Sequence, residues 1–198
     1  MASASTAPGG PQTGKDGLRT INYSGYVNPR GIPQAPFVER VEDYVQSREQ
    51  VEPILQAFQE MLSKYKYMEM STLRREAGLK EKIPDIEKTL ATVRFLDSKR
   101  GSEDATLATT YELNDTLYAK AQVTAGDSVW LWLGANVMLE YPIGEAAELL
   151  ARRLESAQAS LASCTEDLEF LRENITTVEV NTARVYNWDV QKKREEKR

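Results

Sequence analysis

Residues 147–185 read AELLARRLESAQASLASCTEDLEFLRENITTVEVNTARV. Small or apolar residues recur there at alternating steps of three and four: Ala147, Leu150, Leu154, Ala157, Leu161, Cys164, Leu168, Leu171, Ile175, Val178, Thr182 and Val185. A mean period of 3.5 residues is the heptad repeat of a left-handed coiled coil. So long an unbroken stripe is hard to produce by chance, and it predicts a long helix that packs against a second one.

A matching stripe lies upstream. Its first half is Val51, Leu55, Phe58, Leu62 and Tyr65, and the same register resumes at Leu79, Ile83, Ile86, Leu90 and Val93. The seam positions in between are the polar residues Glu69, Thr72 and Glu76. Either the seam shifts locally toward Met68, Leu73 and Ala77, or the helices separate there. Pro84 removes one backbone hydrogen bond, so we expect it to kink or locally break this helix.

Between the helices the apolar period changes to two, which predicts four strands at 109–113, 117–123, 128–133 and 137–141. The third strand contains Val129, Trp130, Leu131, Trp132 and Leu133 and is therefore apolar on both faces. Such a strand must be covered on both sides. We expect other subunits to provide this cover, which makes these five residues the predicted assembly surface.

These elements predict an α+β fold, a long antiparallel two-helix coiled coil joined by two β-hairpins. In the favoured register Val93 faces Ala147 and Phe58 faces Thr182, and a slip of one heptad is the alternative. The predicted seam residues are Phe58, Leu62, Leu79, Ile83, Ile86, Leu154, Leu161, Leu168, Leu171 and Val178. Residues 1–35 are rich in small residues and proline, which predicts a disordered tail. The folded domain is predicted to span residues 36–192, and residues 193–198 are predicted to form a charged tail. A short amphipathic helix is expected over 37–45.

The composition excludes several classes of function. The chain has no histidine, one cysteine and a formal net charge of -5. Histidine is the usual general base near neutral pH and the commonest metal ligand, so we expect no enzyme, no cofactor and no metal site. The acidic balance argues against nucleic acid. No stretch reaches the roughly 18 apolar residues that span a membrane, and no signal peptide is visible, so we expect a cytoplasmic protein.

A second apolar row lies beside the seam near the chain termini. Ile54, Met61 and Met68 repeat every seven residues, and Trp188 falls on the corresponding row of the second helix, close to Tyr186. Two interpretations remain open. These residues thicken the core of the helical hairpin, or Ile54, Met61, Tyr186 and Trp188 form an adaptable surface for unfolded chains, a use that suits methionine.

Five stretches of the sequence resemble the α-type subunits of eukaryotic prefoldin. They are residues 32–39 (IPQAPFVE), 64–69 (KYKYME), 82–86 (KIPDI), 131–141 (LWLGANVMLEY) and 183–190 (ARVYNWDV). The resemblance implies a heterohexamer with one further α-type and four β-type subunits. It also implies that the complex captures unfolded actin and tubulin without ATP and transfers them to the cytosolic chaperonin. A coiled-coil spacer or tether is the rival function, although a spacer has no need of a strand that is apolar on both faces.

Overall fold

The computed structural model describes residues 12–13, 19–20, 23–100 and 106–196. In chain order its elements are β1 (Gln12–Thr13), β2 (Arg19–Thr20), two 3-10 turns (Val41–Asp43 and Arg48–Gln50), α1 (Val51–Lys99), β3 (Thr106–Asn114), β4 (Leu117–Thr124), β5 (Ser128–Gly134), β6 (Val137–Pro142) and α2 (Ile143–Glu195). The predicted order of helix, two hairpins and helix is confirmed, and with it the α+β class.

The chain divides into two compact units. The terminal unit comprises residues 1–76 and 163–198, and the middle unit comprises residues 77–162. Each unit has its own buried apolar cluster. The division in α1 comes directly after the polar seam positions, where Glu69, Thr72 and Glu76 are all half-buried. Leu73 and Ala77 are exposed, so the seam does not shift toward them, whereas Met68 is half-buried and packs against the buried cluster of the terminal unit.

Seam packing in the terminal unit agrees with the first of the two registers. Arg172 Nε lies 3.8 Å from Glu69 Oε1. These two residues lie at nearly the same height in the first register, and a slip of one heptad would separate them along the helices by about 9 Å, since each residue advances a helix by 1.5 Å. The predicted seam residues Phe58, Leu168, Leu171 and Val178 are buried here, and Leu62 is half-buried.

The middle unit holds the remaining predicted seam residues. Its buried cluster includes Leu90, Val93, Ile143, Ala146 and Leu150, with Ile86 and Leu154 packed against it. Leu79, Ile83 and Leu161 are half-buried. The seam residues farther from the hairpins are thus less buried than those near them. This difference is expected, because a seam between two helices is enclosed fully only where a third element covers it.

α1 continues through Pro84 without a break, so of the two expected effects the local break is wrong, and the kink stays a prediction. Proline in a helix interior is about 3 kcal/mol less favourable than alanine. Pro84 is exposed, so Pro84→Ala leaves no cavity, and we expect it to raise the free energy of unfolding by about 2 kcal/mol, part of the penalty being relieved by local adjustment. Thermal unfolding followed by circular dichroism measures this gain.

Gly78→Ala is the matched control for this prediction. Gly78 lies in the same helix, and a Cβ added there meets nothing within 4 Å. Its replacement should stabilise the helix by about 0.5–1 kcal/mol. A gain at Gly78 without a gain at Pro84 would show that the proline is compatible with this helix at no cost.

The structure differs from the sequence expectation at both ends. Residues 23–34 form a turn that brings Ser24 and Gln34 together: Ser24 N donates to Gln34 O at 3.1 Å, and Asn28 N donates to Ile32 O at 2.9 Å. The expectation of disorder therefore fails for this part of the tail, and the rest of 1–22, apart from β1 and β2, lies outside the described residues. At the other end α2 extends to Glu195, so the first half of the predicted charged tail, residues 193–195, is helical. Residues 197–198 lie outside the described range.

Candidate interaction surfaces

The two faces of the β5–β6 hairpin have different environments in the middle unit. Leu131 is 7% exposed and belongs to the buried cluster, against which Val129 and Leu133 also pack. Trp130 and Trp132, which alternate with them, are 61% and 58% exposed. Directly paired residues share a face of a sheet, so Glu140, opposite Trp130, and Met138, opposite Trp132, extend this outward face.

The turn of this hairpin fixes which residues point outward. Ala135 and Asn136 have φ values of 49° and 63°, and two central residues with positive φ form the turn whose twist matches that of paired strands. Because side chains alternate along a strand, a register error of one residue would exchange the tryptophans with Leu131. The turn thereby keeps both indole rings on the outer face.

The structure therefore divides the predicted assembly residues into two groups. We expected other subunits to cover both faces of this strand, and that was wrong for Val129, Leu131 and Leu133, because α1 and α2 of the same chain cover them. Trp130 and Trp132 remain uncovered. Further exposed apolar residues on the four strands are Tyr111, Leu113, Leu117, Tyr118, Val123, Val137, Met138 and Leu139.

The two hairpins form separate two-stranded sheets, β3 with β4 and β5 with β6. Within the described strands each therefore has one edge that carries no ladder to another strand. Unpaired edges are templates for strands of other chains, and an exposed apolar area of this extent is typical of a protein–protein interface. The sheet surface has the properties that assembly with other subunits requires.

The second candidate surface, predicted at Ile54, Met61, Tyr186 and Trp188, is not continuous. Ile54 and Met61 are 4% and 5% exposed, so their assignment to an open surface is wrong in this conformation. Trp188 is half-buried, and only Tyr186, at 59%, is well exposed. With residues 32–45 in place, Ile54 and Met61 are core residues.

Residues 32–45, which we call the strap, bury these side chains. Ala35, Val38, Val41 and Val45 belong to the same buried cluster as Ile54, Phe58, Met61, Tyr65, Leu171, Val178 and Val185. The strap is not the predicted amphipathic helix over 37–45, since only Val41–Asp43 forms a 3-10 turn. Pro33 and Pro36 disfavour a helical conformation in the residues that precede them.

A polar row on α2 holds the backbone of the strap. Asn174 Oδ1 accepts from Ala35 N at 2.5 Å, and Asn181 Oδ1 accepts from Val38 N at 3.0 Å. The Asn181 amide also donates to Pro36 O at 2.7 Å. Both asparagines are buried, and their hydrogen bonds compensate the cost of removing amides from water.

The same row continues in both directions at intervals of seven residues. Asp167 Oδ1 accepts from Asn28 Nδ2 at 2.7 Å, and Trp188 Nε1 donates to Glu42 Oε1 at 3.2 Å. Asp167, Asn174, Asn181 and Trp188 therefore lie on one face of α2. Sequence reasoning found Trp188 but missed the three polar members. Their spacing of seven beside an apolar row was the available signal.

A groove on the terminal unit remains open. It has a volume of ≈ 490 Å³ and is lined by Leu55, Gln59, Leu62, Glu179, Thr182, Ala183 and Tyr186. Its floor is formed by half-buried seam residues, and Tyr186 forms part of its rim. No residue of the strap lines it, so an apolar segment from outside the chain can reach Leu55 and Leu62.

No group of histidine, cysteine and carboxylate side chains suited to a metal ion occurs among the described residues. Likewise, no helix in the described ranges is both long and apolar enough to cross a membrane. The single cysteine, Cys164, is buried at a seam position of α2.

Comparison with known proteins identifies the family. The model of the prefoldin subunit family matches residues 65–188. The chain belongs to the prefoldin family. A protein of Elsinoe fawcettii named prefoldin subunit 3 is 63% identical over 170 residues, which are 86% of this chain and 86% of the relative. The human protein of that name is 45% identical over 165 residues, covering 82% of this chain and 83% of the relative.

Among solved structures, a chain of filamentous PFD from Methanocaldococcus jannaschii is similar, with a TM-score of 0.41 and 16% identity, over 57% of this chain and 95% of that chain. Membership of the prefoldin family makes this chain a subunit of a chaperone, and its partners are other prefoldin subunits. The resemblance that the sequence motifs indicated is thereby confirmed.

Proposed function

We propose that this chain is an α-type subunit of a cytoplasmic heterohexameric prefoldin that holds unfolded polypeptides without ATP. Actin and tubulin are the proposed clients, and the cytosolic chaperonin is the proposed recipient. The exposed sheet surface serves for assembly with one further α-type and four β-type subunits. The activity requires apolar contact area and no catalytic group.

The open groove at Leu55, Leu62 and Tyr186 is the observation that carries client binding. It combines two aliphatic side chains with one exposed aromatic residue, and its rim is polar through Gln59 and Glu179. Such a groove accepts apolar side chains of many shapes, because it contains few polar groups that would have to be matched. Affinity at one groove is modest, and several subunits acting on one client supply the rest by multivalency.

Tyr186→Ser tests this proposal. Since Tyr186 is exposed, the change should leave stability and assembly unaltered, whereas the complex should need about two to three times its concentration to suppress client aggregation, because one contact among several is weakened. The measurement is light scattering of chemically denatured actin diluted into the assembled complex.

Phe95→Ser is the matched control. Phe95 is an aromatic residue of α1 with a similar exposure, 50% against 59%, and it does not line the open groove. Equal protection by the wild type and the Tyr186 variant would refute the assignment of the groove. An equal loss in both variants would mean that any exposed aromatic residue contributes to client binding.

A further inference from the structure

The strap occupies a groove whose chemistry suits an extended polypeptide. This strap groove is bounded by Ile54 and Met61 on α1 and by Asn174 and Asn181 on α2. We propose that the strap groove is a second binding site for unfolded polypeptide, and that the strap is its resident occupant, which an extended client segment displaces. The inference rests on the proposed function, because it names a further site for the same class of client.

Recognition in this groove is directed at the backbone. Asn181 accepts from the Val38 amide and donates to the Pro36 carbonyl, and Asn174 accepts from the Ala35 amide. Every polypeptide carries these groups, so an asparagine pair that reads an N–H and a C=O places little demand on side chains. A tail that served only to complete the core could be held by side-chain packing without buried amides.

The direction and periodicity of the strap define what the groove accepts. The partners of Ala35, Val38 and Glu42 are Asn174, Asn181 and Trp188 in that order, so the strap runs parallel to α2. Its buried apolar residues, Ala35, Val38, Val41 and Val45, are three or four residues apart. The intervening Phe37 is 53% exposed. The suitable ligand is therefore a segment that is extended over its first residues, makes a 3-10 turn as Val41–Asp43 does, and carries small apolar side chains at these intervals.

Carboxylates at the two ends of the groove favour a client segment with a basic residue on either side of its apolar residues. At one end Arg30 pairs with Glu166 and Asp167, and at the other Arg48 pairs with Asp189 and Glu196. These carboxylates become available when the strap leaves. A displacing segment with a basic residue on either side of its apolar residues would restore both ion pairs.

The strap is a tethered competitor. Only residues 46–50 separate it from α1, and a short tether gives an effective concentration on the order of mM. A free peptide that binds the empty groove is therefore weakened in the wild type by the fraction of molecules whose groove is open. Weakening the strap must strengthen the binding of a peptide added in trans, and displacement of that peptide by an unfolded chain separates a client site from a strap that is only structural.

The test is a titration with a fluorescent peptide comprising residues 32–45, measured by anisotropy on the assembled complex. Val38→Ser with Val41→Ser weakens the strap without changing the groove. We expect the peptide to bind this variant at least about tenfold more tightly than the wild type. Adding Asn181→Ala to the variant should remove most of that gain, and a peptide with serine at both valine positions should not bind.

A gentler variant guards against a failure to fold. Arg30→Ala with Arg48→Ala removes only the exposed ion pairs at the ends of the strap, and it should tighten peptide binding about twofold to threefold.

In a final step, reduced and carboxymethylated α-lactalbumin, a permanently unfolded chain, should displace the peptide from the Val38/Val41 variant. Because the peptide titration reads groove occupancy directly, it is independent of whether the Tyr186 groove protects clients. Equal peptide affinity for wild type and both variants, or failure of the unfolded chain to displace the peptide, would overturn the inference.

Discussion

Replacing Trp130 and Trp132 by glutamate is expected to exclude this chain from the prefoldin complex while its helices stay folded. Trp130 and Trp132 are 61% and 58% exposed in the isolated chain, and aromatic residues of this size dominate the energetics of interfaces. Their loss, together with two carboxylates that assembly would have to desolvate, should weaken association by a factor on the order of a thousand or more. Co-expression with the partner subunits, followed by mass measurement of the purified complex, tests this.

Tyr67→Glu is the control for this experiment. Tyr67 is 75% exposed and lies on α1 in the terminal unit, so the same change from aromatic to acidic residue is made outside the sheet. This variant should assemble normally. Circular dichroism should show unchanged helix content for both proteins. Normal incorporation of the tryptophan variant would show that assembly uses other parts of the strands.

The second large effect is expected in the core of the terminal unit. Phe58 is fully buried and shares its cluster with the strap and both helices. Removing a buried phenylalanine side chain costs about 3–5 kcal/mol, so Phe58→Ala should greatly weaken the terminal unit. Hydrogen exchange resolves this regionally: amides of the terminal unit should exchange roughly a hundredfold faster or more, since each 1.4 kcal/mol corresponds to a factor of ten.

Amides of the middle unit serve as the internal control, because its buried cluster contains no residue of the first one. Their exchange should change little. A uniform acceleration across both units on Phe58→Ala would mean that the chain unfolds as a single cooperative body.

Leu168→Ala should lower the free energy of unfolding more than Leu161→Ala, because Leu168 is 3% exposed whereas Leu161 is half-buried.

The helices and hairpins could be predicted from sequence because their signals are periodic and local. The seam on α2 needs no tertiary information, and the alternation in β5 follows from the geometry of a strand. Trp130 and Trp132 were found for the same reason. Which face of β5 the chain covers itself was not predictable, since a strand apolar on both sides gives no indication of which neighbour is its own.

The strap was missed because its determinants are distributed over two distant segments. The apolar spacing in residues 37–45 was interpreted as an amphipathic helix, and it gives no indication of which face of the two long helices the segment covers. Asn174 and Asn181 look like solvent-facing residues until the backbone groups that they bind are known. Ile54 and Met61 indicated that something covers this face, and the two interpretations considered were the core of the helical hairpin and a client, not the chain's own N-terminal segment.

The buried thiol of Cys164 has a practical consequence. It is the only cysteine in the chain and is 2% exposed, so reagents reach it only when the helices around it separate, because thiol reactivity requires access to the thiolate. A cysteine introduced at an exposed position can thus carry a fluorophore in the native subunit without first removing the natural one. Conversely, the alkylation rate of Cys164 measures how often the helices open locally around this residue.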